Sequence, residues 1–150
     1  EACLAPTVAF LRSDKILPEV DDKVRKFLEE KRFAVLATAG KDGVPRQTVM
    51  WYELQGDRIM MNTAVGRLKE KNLARDPRMS FCVEDEYKYV TITGRAEEID
   101  YDTQRSQADI RALAIRYHGQ EKGEEMSRDL FSKQARVTFY MTIEDVDTHL

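Results

Sequence analysis

Phe33-Ala-Val-Leu-Ala-Thr-Ala39, Gly40-Lys-Asp-Gly43, Val44-Pro-Arg-Gln-Thr-Val-Met-Trp-Tyr-Glu-Leu54, Gln55-Gly-Asp57 and Arg58-Ile-Met-Met-Asn-Thr63 follow one another without interruption. The first is an apolar run of strand length, and the glycine-bounded tetrapeptide after it is a hairpin signal, since glycine supplies the positive φ that tight turns demand. Pro45 stands at the start of the second run, where a missing N–H does least harm to a strand ladder. Three strands joined by short turns make an antiparallel meander.

Outward from this meander the hydrophobic period changes. Upstream, Pro18 opens an amphipathic helix that carries Val20, Val24, Phe27 and Leu28 on one face and runs to about Lys31. Downstream, Ala64-Val-Gly-Arg-Leu-Lys-Glu-Lys-Asn-Leu-Ala-Arg-Asp-Pro77 is a loop leading into a short helix that Pro77 ends. Met79 to Val83 is a fourth strand, Glu84 to Glu86 a turn, and Tyr87 to Ile99 a long fifth strand with Gly94 marking a bulge. Ile110, Leu113, Ala114 and Tyr117 share a helical face between Asp102 and His118, with Gly119 as C-cap, and Glu124 to Phe131 forms another helix. Arg136 to Ile143 alternates as a sixth strand. The expected fold is mainly β with peripheral helices: a six-stranded antiparallel barrel in one domain, residues 18–150, preceded by a tail, residues 1–17.

Composition narrows the function. The 150 residues carry 24 basic and 27 acidic side chains, a net charge of −3, so no global positive field gathers nucleic acid or an anionic membrane. No apolar run is long enough to span a bilayer, and Ala2 to Leu11, which follows Glu1 and is broken by Pro6, makes a poor signal peptide. Cys3 and Cys82 form no C-x-x-C pair, which fits a reducing, cytoplasmic setting. With His149 penultimate, His118 is the one internal imidazole, so a His-rich metal site is excluded and no metal is expected. His118 suits the end of a helix, where the dipole favours a cation, better than catalysis. Cys82, beside Phe81, reads as a small buried hydrophobe.

Chemistry concentrates between Met61 and Arg78. Asn62 and Thr63 end a strand, Gly66 permits an unusual backbone angle, and Arg67 and Lys69 flank the first turn of a helix whose free N–H groups face the loop. These are the parts of a phosphate site: guanidinium, ammonium, amide or hydroxyl donors and a helix N-terminus. By spacing alone Arg67, Lys69 and Lys71 read better as the solvated face of a short helix, paired with Glu70 and Asp76.

The Phe-Ala-Val-Leu-Ala-Thr strand, the Lys-Asp-Gly-Val-Pro turn, the Met-Trp-Tyr strand and Asn-Thr-Ala-Val-Gly-Arg-Leu-Lys-Glu-Lys-Asn-Leu-Ala-Arg-Asp-Pro-Arg together resemble the pyridoxamine 5′-phosphate oxidase-like, FMN-binding split β-barrel superfamily, and within it the flavin/deazaflavin oxidoreductases that use coenzyme F420. The likeness covers Val20 to Ile99 and the Arg136 to Ile143 strand. It implies a homodimer with the cofactor between subunits, Arg67 and Lys69 on the phosphate, and Asn62, Thr63 and Gly66 shaping the loop. It places Thr48 and Met50 beside the ring system, although ordinary strand alternation also accounts for them, and Tyr87 at the partner subunit's pocket. Trp51 and Tyr89 read as packing residues. Leu68 separates Arg67 from Lys69 as in the F420-using relatives, and Lys71, Arg75 and Arg78 lie where an acidic cofactor tail could be screened. The resemblance thus implies an F420-dependent oxidoreductase passing a hydride to a small conjugated acceptor, with no catalytic residue assigned. The alternatives are an FMN-dependent oxidase or reductase and a flavin carrier without turnover.

Overall fold

The computed structural model describes residues 7–9 and 19–150. In chain order these are β1 (Thr7–Ala9), α1 (Asp22–Glu29), β2 (Ala34–Ala39), β3 (Pro45–Met50), β4 (Glu53–Gln55), β5 (Arg58–Ala64), α2 (Leu68–Arg75), β6 (Arg78–Asp85), β7 (Lys88–Asp100), α3 (Thr103–His118), α4 (Gln120–Asp129), a 3-10 turn (Phe131–Lys133) and β8 (Arg136–His149). The rest of the expected N-terminal tail, with Cys3 and the helix-opening Pro18, lies outside the described residues. Thr7–Ala9 pair with the Glu98–Asp100 end of β7.

The six-stranded barrel is corrected by the topology. Among the described residues, seven strands form one antiparallel path in the order β3-β2-β6-β7-β8-β5-β4, with β1 beside β7. The expected single strand Val44–Leu54 is two strands, because the chain leaves β2 at the Met50–Ala34 pair and joins β5 at the Glu53–Met60 pair. Trp51 and Tyr52 between them belong to neither ladder. Tyr52 turns fully inward instead, its ring edge-on to Phe81 at 4.9 Å. Its backbone N–H, left without a ladder acceptor, donates to the Tyr117 hydroxyl at 3.2 Å, and its own hydroxyl donates to the Leu28 carbonyl at 2.9 Å. A buried backbone donor must find some partner, and here a tyrosine on α3 supplies it. The two end strands of the sheet are therefore consecutive in the chain yet not hydrogen-bonded to each other, so the sheet rolls up without closing.

Alternation decides which residues enter the core. Leu36, Phe81, Ile92 and Phe139 point inside with Leu28 of α1, while Met60 and Tyr140 face the opposite side and pack under Ile110, Leu113 and Tyr117 of α3. Cys82 corrects another expectation. Its neighbours Phe81 and Val83 take the buried positions, so period-two geometry turns Cys82 to the outer face, where it is half-buried and opposite Val35. The helices shift at their ends. Asp21 caps α1 by accepting from the Val24 N–H at 2.9 Å, and Phe131 falls just beyond α4, in the 3-10 turn.

The bulge expected at Gly94 is present as a register shift between β7 and β8. A Cβ there would lie 1.8 Å from the Thr142 carbonyl oxygen. No side chain fits between the two backbones, so Gly94→Ala should cost about 3 kcal/mol or more in urea denaturation, a loss from overpacking. Wild-type stability in that variant would contradict the close approach.

Candidate functional site

β5 ends at Ala64, directly opposite Arg136, the first residue of β8. This pairing brings the loop after β5 beside the start of β8, and a cleft of about 250 Å³ opens there. One part of its wall is polar, from Asn62, Thr63, Arg67, Lys69 and Arg136, and the other apolar, with Phe33, Val49, Met50, Trp51 and Phe131 prominent. No carboxylate is among the described residues that line it.

The structure gathers five of the residues singled out from the sequence, Met50, Asn62, Thr63, Arg67 and Lys69, around this one cleft. Gly66 stands behind it at φ 90°, the positive angle the sequence requires of the loop. Its N–H donates to Glu70 Oε2 at 3.0 Å, and Glu70 Oε1 accepts from the Tyr101 hydroxyl. Thus the carboxylate nearest in sequence to Arg67 and Lys69 is engaged by loop backbone and a tyrosine. Arg67 is the N-cap of α2 but makes no side-chain cap bond.

Of the residues expected at the cofactor, Thr48, Gly66 and Tyr87 do not line the cleft. Thr48 is half-buried on β3. Tyr87 sits in the β6–β7 hairpin turn, 88% exposed, and does not line the cleft of its own chain. Among the cations expected beyond the phosphate loop, Arg75 donates to the Ala39 carbonyl at 2.6 Å, and Arg78 grips Asp76 with a shortest contact of 2.7 Å. The Arg78 guanidinium pulls the Asp76 carboxyl down to about 2.

Arg136 is the residue that sequence reasoning missed. It opens the last strand, and nothing local links it to Arg67; only the register of β5 against β8 does. Its Nε donates to Asn62 Oδ1 at 2.9 Å, its Nη1 to Gln134 Oε1 at 2.7 Å, and its guanidinium carbon lies 4.9 Å from the Phe131 ring centre. Burial, and then repulsion from Arg67, pull the Arg136 pKa down to about 10. Lys69 is lowered in the same way, by burial first and then by Arg67 and Arg136. Arg67 therefore disfavours the charge on Lys69 and on Arg136, Arg136 disfavours that on Lys69, and none of the three is relieved by an ion pair among the described residues. Uncompensated, convergent positive charge beside a free helix N-terminus has the chemistry of an oxyanion receptor.

The apolar wall is ordered by stacking. Trp51 lies against Tyr117 at 5.3 Å with the planes 13° apart, and Phe131 meets Trp51 edge-on at 6.2 Å. The Tyr117 hydroxyl donates to the Arg32 carbonyl while accepting from Tyr52, and burial raises its pKa. Trp51 and Phe33 are thus packed where expected for Trp51, but on the cleft wall and not deep inside.

A rolled, unclosed antiparallel sheet with a cleft between the end of one inner strand and the helix that follows it defines a split-barrel protein. The pyridoxamine 5′-phosphate oxidase family profile matches residues 20–150, and the chain belongs to that family. Among solved structures it is similar to a conserved hypothetical protein from Mycobacterium tuberculosis, at 27% identity over 93% of this chain and 89% of that one, with a TM-score of 0.73. It is also similar to an F420 reductase, at 23% identity over 85% of this chain and 98% of that one, with a TM-score of 0.70. The heme storage protein HutZ from Vibrio cholerae shares the fold at 18% identity, over 83% of this chain and 91% of that one, with a TM-score of 0.62.

Mutual repulsion has a measurable signature. A base whose folded-state pKa is depressed destabilises the fold at every pH below that value, and the cost is released only as pH rises through it. At pH 7, well below the Arg136 value of about 10, Arg136 therefore carries the full cost, and Lys69 is penalised in the same sense. Arg67→Ala should leave Tm unchanged or raise it by about 1–2 °C at pH 7 and low salt, the gain shrinking with added salt. A fall of several degrees would show that Arg67 is a structural residue.

Proposed function

We propose that the chain is an oxidoreductase that holds coenzyme F420, with Arg67, Lys69 and Arg136 on the phosphate and Met50, Trp51 and neighbouring apolar side chains beside the ring system. The observation that supports it most is the division of one cleft into a cationic wall without carboxylates and an apolar, aromatic wall. A flat heterocycle on a phosphorylated chain needs both at once. When bound, the reduced deazaflavin supplies a hydride to a small conjugated acceptor.

The chain's own residues have three tasks in this reading. Arg67, Lys69 and Arg136 gain the counter-charge they lack, and their repulsion becomes binding energy. Asn62, with Oδ1 turned to Arg136, aims the guanidinium. Val49, Trp51 and Phe33 keep water from the reacting face. No carboxyl or imidazole group lines the described cleft, so the proton that accompanies the hydride is assigned to solvent, and positioning carries the rate.

Assembly belongs to the same proposal. A cleft of about 250 Å³ is below the roughly 300–1,000 Å³ that encloses a drug-sized ligand. Phe33 and Val49, on its wall, are 61% and 63% exposed. A second copy of the chain related by two-fold symmetry would complete the site and cover these residues. The acceptor binds as a small molecule in the space that remains.

Titrating the apoprotein with F420 and with FMN at one salt concentration, followed by visible absorption and by sedimentation, tests the reading. Tighter F420 binding to a dimer is the expected result. Tighter binding of FMN would replace the cofactor and keep the site, whereas tight cofactor binding by a monomer would remove the shared geometry.

A further inference from the structure

Behind the cleft a chain of hydrogen bonds runs from Arg136 to helix α3, and each link has a defined direction. Arg136 Nε donates to Asn62 Oδ1 at 2.9 Å. Asn62 Nδ2 donates to the Ser106 carbonyl at 2.9 Å and to Thr138 Oγ1 at 3.1 Å. Thr138, fully buried on β8, donates its single hydroxyl proton to Asp109 Oδ2 at 2.8 Å. A hydroxyl with its proton committed can present only lone pairs to its other neighbour, and an amide that spends both N–H bonds on acceptors must turn its oxygen the other way. The carboxyl on α3, through Thr138, and the Ser106 carbonyl together thus determine which face Asn62 shows to Arg136.

We propose that Thr138 and Asp109 are positioning residues of the cleft: by fixing the orientation of the Asn62 amide they hold the Arg136 guanidinium toward an incoming oxyanion. The inference rests on the anion-site reading above and adds residues outside the cleft wall to it. Without the relay, the Thr138 hydroxyl is free to donate to Asn62, and the Ser106 carbonyl alone is left to oppose a flipped amide that would set N–H against N–H at Arg136. A guanidinium as buried as this one, and without an ion pair among the described residues, depends on that amide oxygen for its aim, since Gln134 holds only Nη1. A satisfied polar network of this kind specifies a single arrangement, and a half-satisfied one does not.

The test uses the whole protein in two readouts. In the ligand-free state, the Arg136 Nε–H proton, identified by its loss in Arg136→Lys, should give a solvent-protected NMR resonance. Inorganic pyrophosphate serves as the probe oxyanion in calorimetric titration. Thr138→Val and Asp109→Ala should each abolish the protection and weaken pyrophosphate binding about five- to tenfold, the scale of one charge-assisted hydrogen bond. Thr138→Ser, which keeps the hydroxyl, should behave as wild type in both readouts, a rescue that a packing role for the methyl group would not give. Should Thr138→Val fail to fold, Asp109→Ala on the half-exposed side of α3, which removes the acceptor, carries the decision alone. Relay variants with wild-type protection and affinity, beside an Arg136→Met variant that binds pyrophosphate poorly, would overturn the relay and spare the anion site. Unchanged affinity in Arg136→Met would overturn both.

Discussion

The pairing of Ala64 with Arg136 at the end of the β5–β8 ladder is the constraint on which the site depends. Every step from that pair along β5 and β8 is fixed by period-two alternation, since a slip of one residue would send Ile59, Met61, Val137 and Phe139 out of the core. The register that buries these side chains is therefore the register that brings Arg136 to the loop of Gly66, Arg67 and Lys69. Core packing and charge placement are not independent here. The hydrophobic core locks the ladder, and the ladder holds together cations that would otherwise separate.

Burial first, and then that forced proximity of like charge, depresses the pKa values of Lys69 and Arg136. In a chain selected for stability alone, Glu70 would be a natural partner for Arg67 or Lys69, one turn or less away on the same helix. Instead its carboxylate is held by the Gly66 N–H and the Tyr101 hydroxyl. Strain of this kind is characteristic of sites whose missing component is a ligand. The chain belongs to the pyridoxamine 5′-phosphate oxidase family, and the cationic wall is the charge arrangement that an oxyanion receptor requires.

The sequence made much of this legible and hid a specific remainder. The Gly40–Gly43 and Gln55–Asp57 hairpins, the Gly94 bulge, the Gly119 cap and the α2 loop are readable because each rests on local chemistry, namely alternation, glycine angles and proline breaks. The three-stranded meander is not kept: its two hairpins lie at opposite ends of the sheet. The break at Trp51 and Tyr52 is not readable, because an alternating run cannot reveal that its middle leaves one ladder for another. That switch depends on Tyr117, on a helix far along the chain, accepting the orphaned Tyr52 N–H. Cys82 was misjudged because residue type outweighed its place between Phe81 and Val83. Within the site, the local cluster of Asn62, Thr63, Arg67 and Lys69 was visible, whereas Arg136 required the β5–β8 register, which no spacing along the chain encodes. Tyr87 was assigned from family likeness, and its exposure in the hairpin turn leaves it without a part in the cleft of its own chain. No helix among the described residues is long and apolar enough to cross a membrane.

The central claim is that Arg67, Lys69 and Arg136 form one receptor for an oxyanion. Crystals soaked in tungstate, whose anomalous scattering locates it without ambiguity, test this most directly. The account predicts a single strong peak in the cleft, within hydrogen-bonding distance of side chains from all of Arg67, Lys69 and Arg136 and beside the α2 N-terminus. Tungstate bound at other surface cations, with the cleft left empty, would contradict it.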